Sequence, residues 1–208
     1  MSVPPGLRRS AATDAPTDPL HLLPTRVHEA QGPGRRVFGL AQGARSKGAV
    51  VWILPAHAPE QPMLWGLPPG LVPRLHIVRA RGEVDLLWAT EEALRSADVA
   101  AVLAEPDKPL NLTAGRRLQL AAEAGRTLGL MLIRADQGSN ATETRWHCSP
   151  QPGPGLPGDA DSTLHQWSLI KNKKGTLGDW VVNWNGASSA FHLVSAAGKR
   201  PYLADPPL

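Results

Sequence analysis

A pair of glycines followed by a pair of arginines stands where a phosphate-binding loop would lie. Gly32, Gly34, Arg35 and Arg36 come between a predicted strand end and a predicted short helix in the sequence RVHEAQGPGRRVFGL. A loop of the GxxxxGK(S/T) type needs glycines for its tight turn, a lysine for the phosphates and a hydroxyl for Mg²⁺. Both the lysine and the hydroxyl are replaced here. An arginine can still hold a phosphate as a bidentate donor, but we prefer a plain turn with two exposed arginines.

Few other residues are placed for catalysis. Glu105 follows a predicted strand, Val99–Leu103, near where an acidic residue would hold a metal-bound water, but a lone carboxylate is more often a capping or surface residue. His57 follows another predicted strand and could act as a general base, yet no nucleophile lies at a readable spacing from it. The histidines and Cys148 show no zinc-ligand spacing. We therefore expect no catalysis, cofactor or metal, although residual ATPase activity stays open.

Basic residues suggest a contact with nucleic acid. The formal net charge of +4 is a mild bias that is compatible with such contact and does not establish it. The sequence predicts weak, sequence-independent DNA binding by Arg116, Arg117, Lys171, Lys173 and Lys174. The alternative for the three lysines is a solvated basic turn between strands.

The periodicity predicts an α/β fold with a mostly parallel sheet. A helix that begins at Gly82-Glu83, the strand Val99–Leu103, a second helix with Thr113 as its N-cap, and a strand at Leu128–Ile133 alternate along the chain. Such alternation gives βαβ units. After Ile133 the apolar period changes to two, which predicts antiparallel strands that extend the sheet.

The domain organisation follows from composition. We expect a disordered tail over residues 1–24, one domain over residues 25–197 and a Pro-rich tail over residues 198–208. Residues 150–162 are predicted to form a surface loop, either a tolerated insertion or a binding loop. The single cysteine fits a reducing cytosol, and the chain has no run of 18 apolar residues, so we expect no membrane span.

A predicted apolar strand face near the C-terminus is a candidate partner surface. Alternate residues of a strand face one side, so Trp180, Val182 and Trp184 line up together, and Phe191 and Leu193 follow on the next predicted strand. Packing of this face on the core is an equally good interpretation.

Two segments carry a resemblance to a known family. LHIVRARGEVDLLWATEEALRSADVAAVLAE and LTAGRRLQLAAEAGRTLGLMLIR resemble the ImuA family, RecA-related proteins of bacterial mutagenesis cassettes, and the match covers roughly residues 25–185. The resemblance implies a RecA-like core of the P-loop type. In the RecA core a Lys-Asn-Lys sequence reaches a nucleotide on the neighbouring protomer, and Lys171-Asn172-Lys173 matches it in type and place.

The resemblance also implies a role. ImuA works in SOS-induced translesion synthesis beside ImuB, an inactive relative of Y-family polymerases, and an error-prone C-family polymerase. The implied role is a non-catalytic adaptor or regulator of this mutasome, in the cytoplasm and on the nucleoid after DNA damage. Two alternatives stay open: a weak ATPase that uses Arg35 or Arg36 in cis and Lys171 and Lys173 in trans, and a regulator that docks on RecA filaments or, like SulA, inhibits cell division.

Overall fold

A computed structural model describes residues 18–59, 63–135, 137–152, 162–185 and 190–200. The predicted tail over residues 198–208 and the loop over residues 150–162 therefore fall largely outside the described residues. Leu20 and Leu22, which composition assigned to the N-terminal tail, are buried in the core. The folded domain therefore begins before residue 25, because these two side chains are part of its apolar interior.

The described strands form one sheet in the order β3-β2-β4-β5-β1-β6-β7-β8-β9. The strands are β1 Val27–Gln31, β2 Ala49–Pro55, β3 Leu75–Ala80, β4 Val99–Ala104, β5 Leu128–Leu132, β6 Thr144–Gln151, β7 Ser162–Asn172, β8 Leu177–Asn185 and β9 Ala190–Arg200. The strands from β3 to β6 pair in parallel, and those from β6 to β9 pair antiparallel. The predicted mostly parallel sheet with an antiparallel extension is thus confirmed.

Helices cover both faces of the parallel half. The α-helices are α1 Arg35–Arg45, α2 Glu83–Arg95 and α3 Leu112–Gly125, and short 3-10 turns span Leu64–Gly66 and Val72–Arg74. Alternate residues of each strand supply two apolar cores, one that contains α1 and one that contains α2 and α3. Within the described part of the chain, no helix is both long and apolar enough to cross a membrane.

Two local predictions were wrong for identifiable reasons. The N-cap of α3 is Asn111, whose side-chain oxygen accepts the backbone N–H of Ala114 at 2.8 Å, so Thr113 lies inside the first turn. A short asparagine side chain in extended backbone satisfies this N–H before a threonine two residues later can. The predicted antiparallel pairing holds for β6 with β7 but is wrong on its other side, where β6 pairs in parallel with β1; an alternating pattern gives no information on strand direction.

Aromatic side chains fill the core on the α1 side, beside the turn that begins α1. The ring of Phe38 lies 5.1 Å from that of Trp146 and 4.9 Å from that of Trp167. Trp146 in turn lies 5.4 Å from Trp180. Buried aromatic pairs of this geometry stabilise a core beyond the area they bury, so α1 and its preceding turn are held rigidly against β6, β7 and β8.

Candidate functional site

The turn between β1 and α1 is short and packed against β6. Gly32 has a φ of +89°, and a Cβ atom there would lie 2.5 Å from the carbonyl oxygen of Cys148. The N–H of Gly34 donates to the same oxygen at 2.9 Å. Glycine is therefore required at position 32 by the backbone conformation and by the close approach to β6, whereas a Cβ atom at Gly34 would make only a tight contact, 3.1 Å from the carbonyl carbon of Cys148. At least one N–H of the turn bonds the protein itself and is not available to cradle a phosphate.

Arg36 and Glu105, both predicted site residues, form a two-pronged ion pair. The Nε of Arg36 donates to Oε1 and Oε2 of Glu105 at 2.9 and 3.1 Å, and a terminal nitrogen donates to Oε2 at 2.9 Å. The indole N–H of Trp52 also donates to Oε1 at 3.0 Å. Glu105 is buried, so its charge needs these partners. The guanidinium that could have bound a phosphate thus binds a carboxylate of its own chain.

Sequence reasoning did not foresee the role of Trp52. Its ring lies within 6.0 Å of the Arg36 guanidinium carbon, a distance that allows a cation–π contact. The available signal was positional: Glu105 follows β4 and Trp52 lies on β2, which pairs with β4. Carboxyl ends of adjacent parallel strands meet at one edge of the sheet, but the sequence alone did not give the strand order.

A cleft of about 280 Å³ opens at this edge of the sheet. It is lined by charged groups of both signs and by apolar residues: Arg35, Arg36, Pro55, His57, Ala58, Pro59, Glu105, Pro106, Asp107, Leu132 and Arg134. His57 and Arg134 lie 3.5 and 3.4 Å from Asp107. Arg35 bonds the carbonyl of Gly32 at 3.2 Å, while its buried Nε has no partner among the described residues. Ligands of open parallel sheets bind in this position.

A buried carboxylate on β1 was missed. Glu29 is fully buried and accepts the backbone N–H of Ser139 at 2.7 Å, the hydroxyl of Thr142 at 3.0 Å and the Nε of Arg145 at 2.8 Å. One acidic residue in the five-residue strand β1, VHEAQ, was the only available signal. These bonds fix the segment 139–142 against the parallel half of the sheet.

Lys171 and Lys173 bind the same segment. The Nζ of Lys171 donates to the carbonyls of Ser139 and Thr142 at 2.8 and 3.1 Å, and that of Lys173 donates to the carbonyl of Ala141 at 2.7 Å. Burial lowers the pKa of Lys171 from 10.5 to about 8. Within one chain both lysines are thus occupied by residues 139–142, and contact with a nucleotide on another copy stays a prediction.

The other predicted DNA-binding residues differ in their surroundings. Arg116, Arg117 and Lys174 are all exposed, and Arg117 also donates to the carboxylate of Glu91 at 2.6 Å. A Cβ atom at Gly115 would lie 2.8 Å from that of Ala141. The first turns of α3 therefore lie against residues 139–142, the segment that Lys171 and Lys173 hold. The arginines of α3 and the lysines of the basic turn thus flank this same segment.

The predicted partner face is mostly inside the protein. Trp180 and Val182 are buried in the apolar core, so they cannot form an accessible interface, and the alternative of core packing is correct for both. Trp184 and Phe191 are half-buried, with their rings 4.8 Å apart, and they line an apolar cleft of about 310 Å³. Only Leu193 of this set is exposed. The alternating pattern correctly placed Trp180 and Val182 on one face of β8. Such a pattern does not show whether that face is covered by the core or by a partner.

Among the described residues, no cluster of three or more histidine, cysteine or acidic side chains is arranged to hold a metal ion.

Comparison with known proteins places the chain in a family. No protein-family model matches the sequence. Two curated proteins named Protein ImuA, from Caulobacter vibrioides strains NA1000 / CB15N and ATCC 19089 / CIP 103742 / CB 15, are each 36% identical to it over 168 residues. The match covers 73% of this chain and 68% of each relative. With this identity over most of both chains, the protein belongs to the ImuA family.

Proposed function

We propose that the protein is a non-catalytic, RecA-like accessory protein of error-prone translesion DNA synthesis. It acts as an adaptor or regulator in a mutasome with an ImuB-like protein and an error-prone C-family polymerase, in the cytoplasm and on the nucleoid during the SOS response. Its family membership supports a role in induced mutagenesis. The finer assignment depends on the degenerate site at the start of α1.

The observation that carries the proposal is the ion pair between Arg36 and Glu105. A phosphate that took Arg36 as its ligand would have to displace the buried carboxylate, or lie beside it as a second negative charge. Breaking a buried pair costs roughly 3–5 kcal/mol. Phosphoryl transfer also needs a positive group and Mg²⁺ at the γ-phosphate, and the chain replaces both the phosphate lysine and the Mg²⁺ hydroxyl.

The order of elements supports a RecA-like core. The resemblance predicts a helix that starts at Gly-Glu, then a Val-rich strand, a long helix and a Leu-rich strand. In the structure α2 follows Gly82 and begins at Glu83, and β4, α3 and β5 come next. The turn at Gly32–Gly34 joins β1 to α1 at the edge where such cores bind nucleotides, which is why a degenerate phosphate loop is the fitting description.

A weak nucleotide-binding function is the second candidate. The half-buried Arg35 has an unsatisfied Nε in the cleft at the carboxyl ends of the strands, and a buried donor without a partner is costly. A phosphate of a bound nucleotide would satisfy it. Binding of this kind would regulate assembly without hydrolysis.

The test is capture of purified partners by the tagged full-length chain. We expect it to retain the ImuB-like protein of the same genome, with the tag alone as control, and a parallel arm uses RecA. Capture of the ImuB-like protein in the absence of nucleotide supports a passive adaptor. Capture of RecA alone would favour the regulator that docks on RecA filaments, and no capture of either would refute the proposed role.

A further inference from the structure

The strand β3 is an edge of the sheet, with a regular outer side that no described strand pairs. Among the described residues it pairs only with β2, in a continuous register from Val50↔Leu75 to Pro55↔Ala80. The carbonyl of Ala80 accepts the N–H of Ala56 at 2.7 Å, on the β2 side. Backbone groups of alternate residues point to opposite sides of a strand, so those of Ile77 and Arg79 point outwards. Such unpaired groups are a template for another strand.

The opposite edge of the sheet is built differently. The register between β8 and β9 shifts twice, between Leu177 and Asp179 and between Val181 and Val182. Bulges of this kind twist an edge strand and hinder the addition of another chain. Because β3 has no such shift, its geometry leaves it open to pairing.

The edge also exposes apolar surface on both of its faces. Ile77 and Val78 are 40% and 36% exposed, and as neighbours in a strand they point to opposite faces of the sheet. A strand that added outside β3 would cover one apolar side chain on each face. The two residues of the added strand that lie beside Ile77 and Val78 would need to be apolar and adjacent in sequence. Residues with β-branched side chains fit such a pleated surface best.

The charge around this edge selects the partner. Residues 70–82 contain three arginines and one histidine and no carboxylate. Arg81 is exposed, Arg79 donates to the carbonyl of Ala58 and Arg74 caps the carbonyl end of α1. The nearest acid along the chain, Glu83, accepts the N–H of Asp107. A second copy would bring like charges together, whereas an acidic segment is complementary.

We propose that β3 is a docking site for an extended, acidic segment of another protein, which adds to the sheet as an outer strand. The segment carries at least two adjacent β-branched residues between carboxylates. Backbone hydrogen bonds to Ile77 and Arg79 supply affinity, and the arginines supply specificity, as in other cases of strand addition. This function is independent of the degenerate phosphate turn.

The test measures fluorescence anisotropy of a labelled peptide, Asp-Glu-Val-Ile-Thr-Val-Asp-Glu, with the full-length chain. Ile77→Pro removes an outward N–H and keeps the bonds to β2, while Ile77→Ala removes only the side chain. We expect Ile77→Pro to bind about fivefold more weakly than Ile77→Ala, as for one lost hydrogen bond. Arg81→Glu should weaken binding about fivefold or more, and Arg126→Glu, at an exposed arginine that follows α3, should not.

Several results would overturn the proposal. They are no peptide binding, equal binding by Arg81→Glu and Arg126→Glu, or equal binding of a peptide with lysines in place of the acids. Self-association that Ile77→Pro abolishes would identify a second copy as the occupant, and amides of Ile77 and Arg79 already protected from hydrogen exchange in the isolated monomer would identify a segment of this chain. If Ile77→Pro fails to fold, the charge-reversal pair decides.

Discussion

The guanidinium of Arg36 holds both carboxylate oxygens of Glu105, at 2.9 and 3.1 Å from its Nε. This pair joins the first turn of α1 to the end of β4, beside the turn that we propose to be a degenerate phosphate loop. In that proposal, the ion pair engages the cation that a bound phosphate would need. We therefore expect the ion pair between Arg36 and Glu105 to contribute to the stability of the fold.

We expect Glu105→Ala to lower the free energy of unfolding by about 3 kcal/mol, because it leaves a half-buried guanidinium and a buried indole N–H without their acceptor. Urea unfolding followed by circular dichroism measures this change. The matched control is Glu92→Ala, which removes an exposed partner of Arg95 and should cost well under about 1 kcal/mol. Equal effects of the two substitutions would show that the pair at Arg36 contributes no more than a surface ion pair.

A buried histidine should make the protein less stable in acid. The neutral ring of His28 donates from Nε2 to the carbonyl of Leu23 at 3.0 Å, so its Nδ1 accepts the hydroxyl of Thr144 at 2.7 Å. Burial lowers the pKa of His28 from 6.5 to about 4. The unfolded chain therefore binds more protons between these values, and stability falls as the pH drops from about 6.5 to about 4.

The measurement for His28 is urea unfolding across this pH range. The wild type should lose up to about 3 kcal/mol more than His28→Gln, since each unit of pKa shift corresponds to about 1.4 kcal/mol. His57→Gln, at an exposed histidine, serves as the control and should keep the full pH dependence. A pH dependence that is unchanged in His28→Gln would show that other groups cause the acid sensitivity.

DNA binding, if it occurs at the basic turn, should depend on the exposed cations. Arg116 and Lys174 are exposed, while Lys171 and Lys173 hold the segment 139–142. We expect weak binding to single strands, with a salt slope that falls by about 1.4 in the double variant Arg116→Ala/Lys174→Ala, or about 0.7 per lost phosphate contact.

Fluorescence anisotropy at several salt concentrations gives this slope. Lys171→Met should instead loosen the segment and lower thermal stability. An absence of binding to single strands even at low salt would show that the turn is only a solvated loop.

The periodicity of apolar residues was sufficient to predict the helices and strands, but not which of them pair or pack together. The alternation of helix and strand patterns gave α2, β4, α3 and β5 within a few residues, because each buries one face or stripe. Pairing is set by long-range contacts, so the parallel contact of β6 with β1 and the meeting of Arg36 with Glu105 were not readable. Trp180 shows the same limit, since a strand pattern identifies a buried face without its covering partner.

The most direct test of the central proposal is steady-state release of phosphate from ATP by the purified full-length chain with Mg²⁺, with and without single-stranded DNA. The missing lysine and hydroxyl remove the main positive contacts to the developing charge, a loss of several orders of magnitude in rate. We therefore expect release that is indistinguishable from the blank and unchanged in Arg36→Ala. Release above the blank that Arg36→Ala abolishes would contradict a non-catalytic accessory protein and identify a working ATPase.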